Sequence, residues 1–171
     1  MNNLIIKSPQ QTIISMSLLK YHLRIAHDLE DTYLSNIINI ATEILENELN
    51  ESFLIKTFKY THFNDVKSNN IKIPINNIQS IISVKMAPKN IDLPYTTILY
   101  TNTIMTNITY IDSPIEIIYS AGLTNYVDQI PKNFKLAVLQ IAKSIYENSE
   151  ENILESKFIK NLIQSHKSLH L

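Results

Sequence analysis

Two groups of acidic residues are the first candidates for chemistry in this sequence. They are Asp28, Glu30 and Asp31, and Glu147, Glu150 and Glu151. Paired carboxylates act as general acid and base when a cleft holds them apart. Both groups fall at predicted helix ends, so we interpret the first as helix capping and solvation. The second lies at a helix C-terminus, where acids oppose the dipole, so a basic group on a neighbouring subunit is an alternative partner.

The histidines do not form a metal-binding pattern. His22 and His27 are five residues apart, which does not place both on one helical face. His166 and His170 are four apart and could share a face, but they lie near the end of a polar, frayed segment. A metal site needs three or four ligands held by further hydrogen bonds. Since no serine lies in a nucleophile-elbow pattern either, we predict no catalytic residue and no metal site.

Composition excludes several classes of protein. The 171 residues include one glycine, Gly122, and no cysteine. Gly-rich phosphate loops, dinucleotide fingerprints, disulfides and thiolate metal sites are therefore excluded, and we expect no cofactor. A net charge of −1 and a pI of about 6.5 argue against a protein that grips nucleic acid through its backbone.

The hydrophobic pattern predicts an α+β fold. Apolar residues spaced by three and four predict helices over about 16–24, 29–49 and 131–149, and Ser15 suits the N-cap of the first. Between them, about 53–120 is rich in β-branched and aromatic residues and predicts an antiparallel β-rich insertion in a helical hairpin or bundle. We expect one domain over 1–150, opened by an extended arm over 1–14, and a C-terminal helical tail over 151–171.

The insertion contains several short, turn-punctuated strand candidates. They are Phe53–Phe63, Ile71–Ile73, Ile78–Met86, Thr96–Tyr100, Asn107–Ile111 and Ile115–Ser120. No stretch approaches the roughly 18–20 apolar residues of a membrane span. Because the N-terminus also lacks the pattern of a signal peptide, we expect an intracellular product with no membrane partner.

The tail contains the candidate partner interface. Phe158, Ile159, Leu162 and Ile163 lie at helical spacing, with lysines around them. Such an amphipathic segment either folds back on its own domain or inserts into a groove on a partner. The sequence leaves both alternatives open.

Three stretches, in order over about residues 15–150, resemble the head–tail connector (adaptor) family of long-tailed phages, prophages and gene transfer agents. The first runs from Ser15 to Ile25 with Lys20, His22, Leu23 and Arg24, and Asp31 follows it. The second begins at Ile73-Pro74 and continues through Ile78 to Lys85. The third ends a strand at Ala121-Gly122 and continues with Pro131, Tyr146 and Glu147. The sequence departs from the family at Leu18, Asn77 and Ser149, where Glu, Pro and Arg are common.

The resemblance implies a non-enzymatic structural protein of the virion. Such subunits form a ring, commonly of twelve, beneath the portal protein, and extend the channel through which DNA passes without specific binding. They also offer a platform to a head-completion or tail protein. The implied location is the bacterial cytoplasm during assembly and then the head–tail junction of the particle.

Two other functions remain alternatives. One is a cytoplasmic α+β protein-binding module without catalytic activity, which affinity for a host protein would favour. The other is a small hydrolase or ligand-binding domain, which would need a deep pocket with convergent polar groups.

Overall fold

A computed structural model describes residues 3–63, 70–98, 102–106, 113–149 and 153–168. The chain groups into two compact units. The β unit contains residues 1–9 and 50–125, and the helical unit contains residues 10–49 and 126–171. The predicted α+β class is confirmed. The expectation of one domain over 1–150 with a C-terminal tail over 151–171 remains a prediction.

Eight strands form two antiparallel sheets in the described part of the β unit. They are β1 (Asn3–Lys7), β2 (Lys56–His62), β3 (Asn70–Lys72), β4 (Ile78–Met86), β5 (Ile91–Asp92), β6 (Tyr95–Ile98), β7 (Thr103–Thr106) and β8 (Ile115–Ala121). One sheet has the order β1-β2-β8-β4-β5, and the other has the order β3-β7-β6. The arm over residues 1–14, expected only to be extended, therefore includes an edge strand at Asn3–Lys7. The strand candidate Asn107–Ile111 lies outside the described residues.

Strand alternation explains how the β unit forms its core. Along β8, every second side chain from Ile115 to Ala121 is buried, as expected for a strand with one face against the interior. These side chains join Phe58 of β2 and apolar residues of the other sheet, including Ile71 and Ile104, in one cluster. The rings of Phe58 and Tyr119 stack with centroids 5.4 Å apart. Each such buried side chain contributes about 1.5–3 kcal/mol to folding.

Four α-helices form the described part of the helical unit. They are α1 (Met16–Leu23), α2 (Asp31–Leu49), α3 (Lys132–Tyr146) and α4 (Lys157–Ser168). The hydroxyl of Ser15 accepts a hydrogen bond from the backbone N–H of Leu18 at 3.2 Å, so the predicted N-cap of α1 is confirmed. None of the described helices is long and apolar enough to cross a membrane.

The helices pack against each other through the apolar faces whose spacing predicted them. The buried stripe of α2 consists of Leu34, Ile37, Ile38, Ala41, Leu45 and Leu49. The buried stripe of α3 includes Phe134, Ala137, Val138, Ile141 and Ala142. Both α1 and α4 contact this α2–α3 pair. Spacing of three and four places each set on one helical face, and the paired faces exclude water from each other.

Candidate functional site

The first acidic group is held by a lysine of α1. Lys20 Nζ lies 2.6 Å from Asp28 Oδ1 and also pairs with Asp31 at the start of α2. The hydrogen bond to Asp28 raises the pKa of Lys20 above its ordinary 10.5. The same bond from Lys20 lowers the pKa of Asp28 below its ordinary 3.8. One cation thus joins the end of α1 to the beginning of α2, which agrees with the structural interpretation of this group.

The third acid of this group, Glu30, has a partner far away in sequence. Tyr146, at the end of α3, donates a hydrogen bond from its hydroxyl to Glu30 Oε2 at 2.9 Å. This bond raises the pKa of Tyr146 above its ordinary 10.0. The ring of Tyr146 also contacts that of Tyr33, with centroids 6.3 Å apart. Two residues of the family resemblance, Lys20 and Tyr146, therefore fasten α1 and α3 to the first turn of α2.

The remaining motif residues of α1 shape its C-terminus. Leu23 is the last helical residue, and Arg24 follows in the left-handed conformation with φ 62°. The backbone N–H of Arg24 bonds the carbonyl of Tyr21 at 3.3 Å, which ends the helix. The Nε2 atom of His22 is buried and has no hydrogen-bond partner among the described residues.

The motif residues of the β unit, Gly122 and Pro74, lie where the backbone leaves or enters a strand. Gly122 has φ 147°, and a Cβ at this position would lie 2.6 Å from the carbonyl oxygen of Leu54. Only glycine fits here, because both the conformation and the contact exclude a side chain. Pro74 lies between β3 and β4 and lines a cavity of about 720 Å³.

This cavity is the feature that a ligand-binding function would require. Its described lining contains aromatic, amide and basic groups but no carboxylate. The lining residues are Asn50, Tyr60, Thr61, His62, Phe63, Lys72, Ile73, Pro74 and Asn76. No group of three or more metal-binding side chains occurs in the described ranges.

Two further motif residues delimit α3. Pro131 occupies the N-cap position, and its carbonyl accepts from the N–H of Phe134 at 3.1 Å. Glu147 is the C-cap, and its carboxylate lies 3.8 Å from Lys143 on the same helix. Glu150 and Glu151 lie outside the described residues, so the partner of the second acidic group stays a prediction.

The predicted partner interface lies on α4, which folds back on the helical unit. Ile159 and Leu162 are buried there, Ile163 is half-buried, and Phe158 keeps 38 % of its surface exposed. The ring of His166 contacts the edge of Phe134 at a centroid distance of 5.2 Å, while His170 lies outside the described residues. The use of these residues by a partner stays a prediction.

Sequence reasoning missed a different exposed apolar surface. Leu4, Ile5 and Ile6 of β1 lie at the edge of the five-stranded sheet with exposed side chains. The three consecutive apolar residues were visible in the sequence. That they form a sheet edge follows only from the pairing of β1 with β2, which are separated by two helices.

Comparison with known proteins agrees with these observations. Residues 13–91 match the family model of phage gp6-like head–tail connector proteins. No curated protein sequence matches the chain.

The fold is similar to solved structures of gene transfer agent particles. A chain in the neck of an empty particle, computed with C6 symmetry, has a TM-score of 0.78 and 16 % identity, covering 97 % of this chain and 95 % of that chain. A chain in the virion of a native particle has a TM-score of 0.74 and 15 % identity, with coverages of 96 % and 94 %. A third, in a native neck computed with C12 symmetry, has a TM-score of 0.65 and 14 % identity, with coverages of 95 % and 94 %.

These structural likenesses show the fold, and the match to the family model covers less than half of the 171 residues. The match begins at the hydrophobic residues before α1 and extends through α2 and the first strands of the β unit to β5. It therefore includes six of the motif residues described above, which are Lys20, His22, Leu23, Arg24, Asp31 and Pro74. Over residues 13–91 the chain is similar to the gp6-like head–tail connector family of phages.

Proposed function

We propose that this chain is a structural connector subunit that forms a ring beneath the portal protein of a phage-like particle. The single observation that carries the proposal is the family match over residues 13–91. The likeness of fold across 97 % of the chain to a neck protein supports it. In this role the ring extends the DNA channel and joins the head to the tail.

The placement of the motif residues supports a structural role. Lys20, Arg24, Gly122, Pro131 and Tyr146 act in ion pairs, caps, tight backbone contacts and one long-range hydrogen bond. Their task is to hold helices and strands in fixed geometry, and a connector requires no catalytic step. A net charge of −1 also suits a channel through which DNA slides without specific binding.

The partners of the proposed subunit are its own neighbouring copies, the portal protein, and a head-completion or tail protein. A ring of twelve follows from the family resemblance. We place the protein in the bacterial cytoplasm during assembly and at the head–tail junction of the finished particle.

The portal contact is proposed to involve α4. Because Ile159 and Leu162 are buried in the helical unit, a helix that gripped the portal with them would first have to leave that unit. Phe158 is available without such a change, since its side chain is already exposed. Replacing Phe158 by serine therefore tests docking of the folded helix, whereas deleting residues 151–171 tests the segment as a whole.

Native mass spectrometry tests the function directly. The purified chain is measured alone and after mixing with the portal protein encoded in the same genome. A ring, or a portal-bound species with about one copy per portal subunit, is the expected result. A monomer that ignores the portal would contradict the proposal, and capture of a host protein by that monomer would favour the protein-binding module.

A further inference from the structure

The first strand of the β unit is an uncovered apolar edge. β1 pairs with β2 on one side, and no described strand pairs with its other side. Leu4 is 61 % exposed, and Ile5 and Ile6 are each nearly half exposed. In an antiparallel pair, alternate backbone N–H and C=O groups of the edge strand point away from the sheet. Such an edge is a template for another extended chain.

The same sheet has a second open edge on β4. The short strand β5 pairs only with Lys85 and Met86, so the stretch from Ile78 to Ser83 has no described strand on its outer side. Within that stretch Ile82 is 57 % exposed. At both edges the sheet therefore presents an exposed apolar side chain on a stretch that no described strand pairs on its outer side.

The strand directions make these two edges complementary between copies. Each neighbouring pair in the order β1-β2-β8-β4 is antiparallel, so β1 and β4 run in opposite directions. A rotation about a ring axis brings one copy's β1 beside the next copy's β4 without reversing the sheet. The two strands then meet antiparallel, which continues the alternation of the sheet.

We infer that β1 of one copy adds to the open edge of β4 in the next copy, through Leu4–Ile6 and Ile82. The occupant is a second copy of this chain, because the two edges are complementary in direction and in apolar character. Ring interfaces are heterologous, which means that one surface meets a different surface of the neighbour. The pairing of β4 with β8 shifts register near Gln79 and Ile82, and such irregularities keep this contact short. The inference rests on the proposed ring function and adds the strands that join its subunits.

Cysteine cross-linking tests the contact, since the chain contains no cysteine of its own. The double variant Leu4→Cys with Ile82→Cys is assembled alone or on the portal and treated with a short bismaleimide. Within one copy, β2 and β8 separate the two positions by roughly 14 Å or more, given a strand spacing of about 4.8 Å. Cross-links between copies therefore produce a ladder of dimers, trimers and larger species on a denaturing gel. Each single variant gives no ladder.

Two results would overturn the inference while leaving the proposed function intact. One is a ring seen by native mass spectrometry whose double variant gives no ladder. The other is a strong dimer from Leu4→Cys alone, which would indicate β1 paired with β1 around a twofold axis. Absence of any ring, with or without the portal, would overturn the proposed function and this inference together.

A charge substitution provides a second measurement. Ile5→Lys places a charge on the edge strand, and we expect it to raise the concentration needed for assembly at least tenfold. Ile40→Lys on α2 is the matched control, because both isoleucines are 47 % exposed. Equal effects of the two substitutions would contradict a specific role for β1, as would an unchanged ring with Ile5→Lys.

Discussion

Replacing Gly122 by alanine should be among the most damaging single changes in the β unit. The φ of 147° lies in a region that is open almost only to glycine, and forcing a side chain into it costs about 1–3 kcal/mol. The new Cβ would also lie 2.6 Å from the carbonyl oxygen of Leu54 and 2.7 Å from Ile55 Cα. Both are backbone atoms, so relief requires the two chain segments to separate.

That separation would weaken the hydrogen bonds formed at this point. The N–H of Gly122 donates to the carbonyl of Asn77 at 3.1 Å, and the side chain of Gln79 donates to the carbonyl of Gly122 at 2.9 Å. The N–H of Ile55 donates to the carbonyl of Thr124 at 3.0 Å. With roughly 1 kcal/mol for each of the three weakened bonds, the total loss of stability is about 4–6 kcal/mol.

Urea unfolding followed by circular dichroism measures this loss. For a slope of about 2 kcal/mol per molar, the midpoint should fall by roughly 2–3 M. The control is Asn90→Ala, which changes an exposed turn residue with φ 54°. Its cost should stay near 1 kcal/mol, since it carries only the conformational penalty. Equal midpoints for the two variants would refute the steric argument, whereas failure of Gly122→Ala to fold would agree with it.

Three further predictions concern the helical unit. Lys20→Met should lower the urea midpoint most between pH 3.8 and 10.5. The ion pair stabilises the fold only in that range, because the pKa of Lys20 is raised and the pKa of its partner Asp28 is lowered. Equal losses of stability at pH 7 and pH 3 would contradict this reasoning. Tyr146→Phe should remove a stabilisation that is present below pH 10.0 and is lost as the pH rises through the raised pKa of Tyr146. Urea unfolding of the variant and the wild type at pH 8 and pH 11 measures this difference. Ile159→Ala should cost about 2–4 kcal/mol by the same urea assay, and Phe158→Ala clearly less, because Ile159 is fully buried and Phe158 is not; a larger loss from Phe158→Ala would show that α4 does not dock as described.

Local patterns in the sequence predicted the helical segments and the N-cap of α1. The apolar spacing in α2 and α3 and the hydroxyl of Ser15 depend on residues within a turn or two of each other. The resemblance to connector proteins likewise rested on short stretches in the correct order.

Features that depend on distant residues could not be predicted in the same way. The bond between Tyr146 and Glu30 joins residues separated by the whole β unit. The status of β1 as an edge strand depends on its pairing with β2. The amphipathic pattern of α4 is compatible both with packing on its own unit and with binding a partner. The pattern alone therefore could not predict which of the two has the lower free energy.

The interruption of the helical unit by residues 50–125 also sets an order of events during synthesis. α2 leaves the ribosome long before α3, which covers its apolar stripe. The β unit, by contrast, has every strand that the structure describes once residue 121 has emerged. Since chains fold in the order in which complete units appear, the β unit should fold first. Until α3 emerges, the apolar faces of α1 and α2 stay partly exposed. Emergence of α3 then closes the long loop between the two halves of the helical unit, and completes it late.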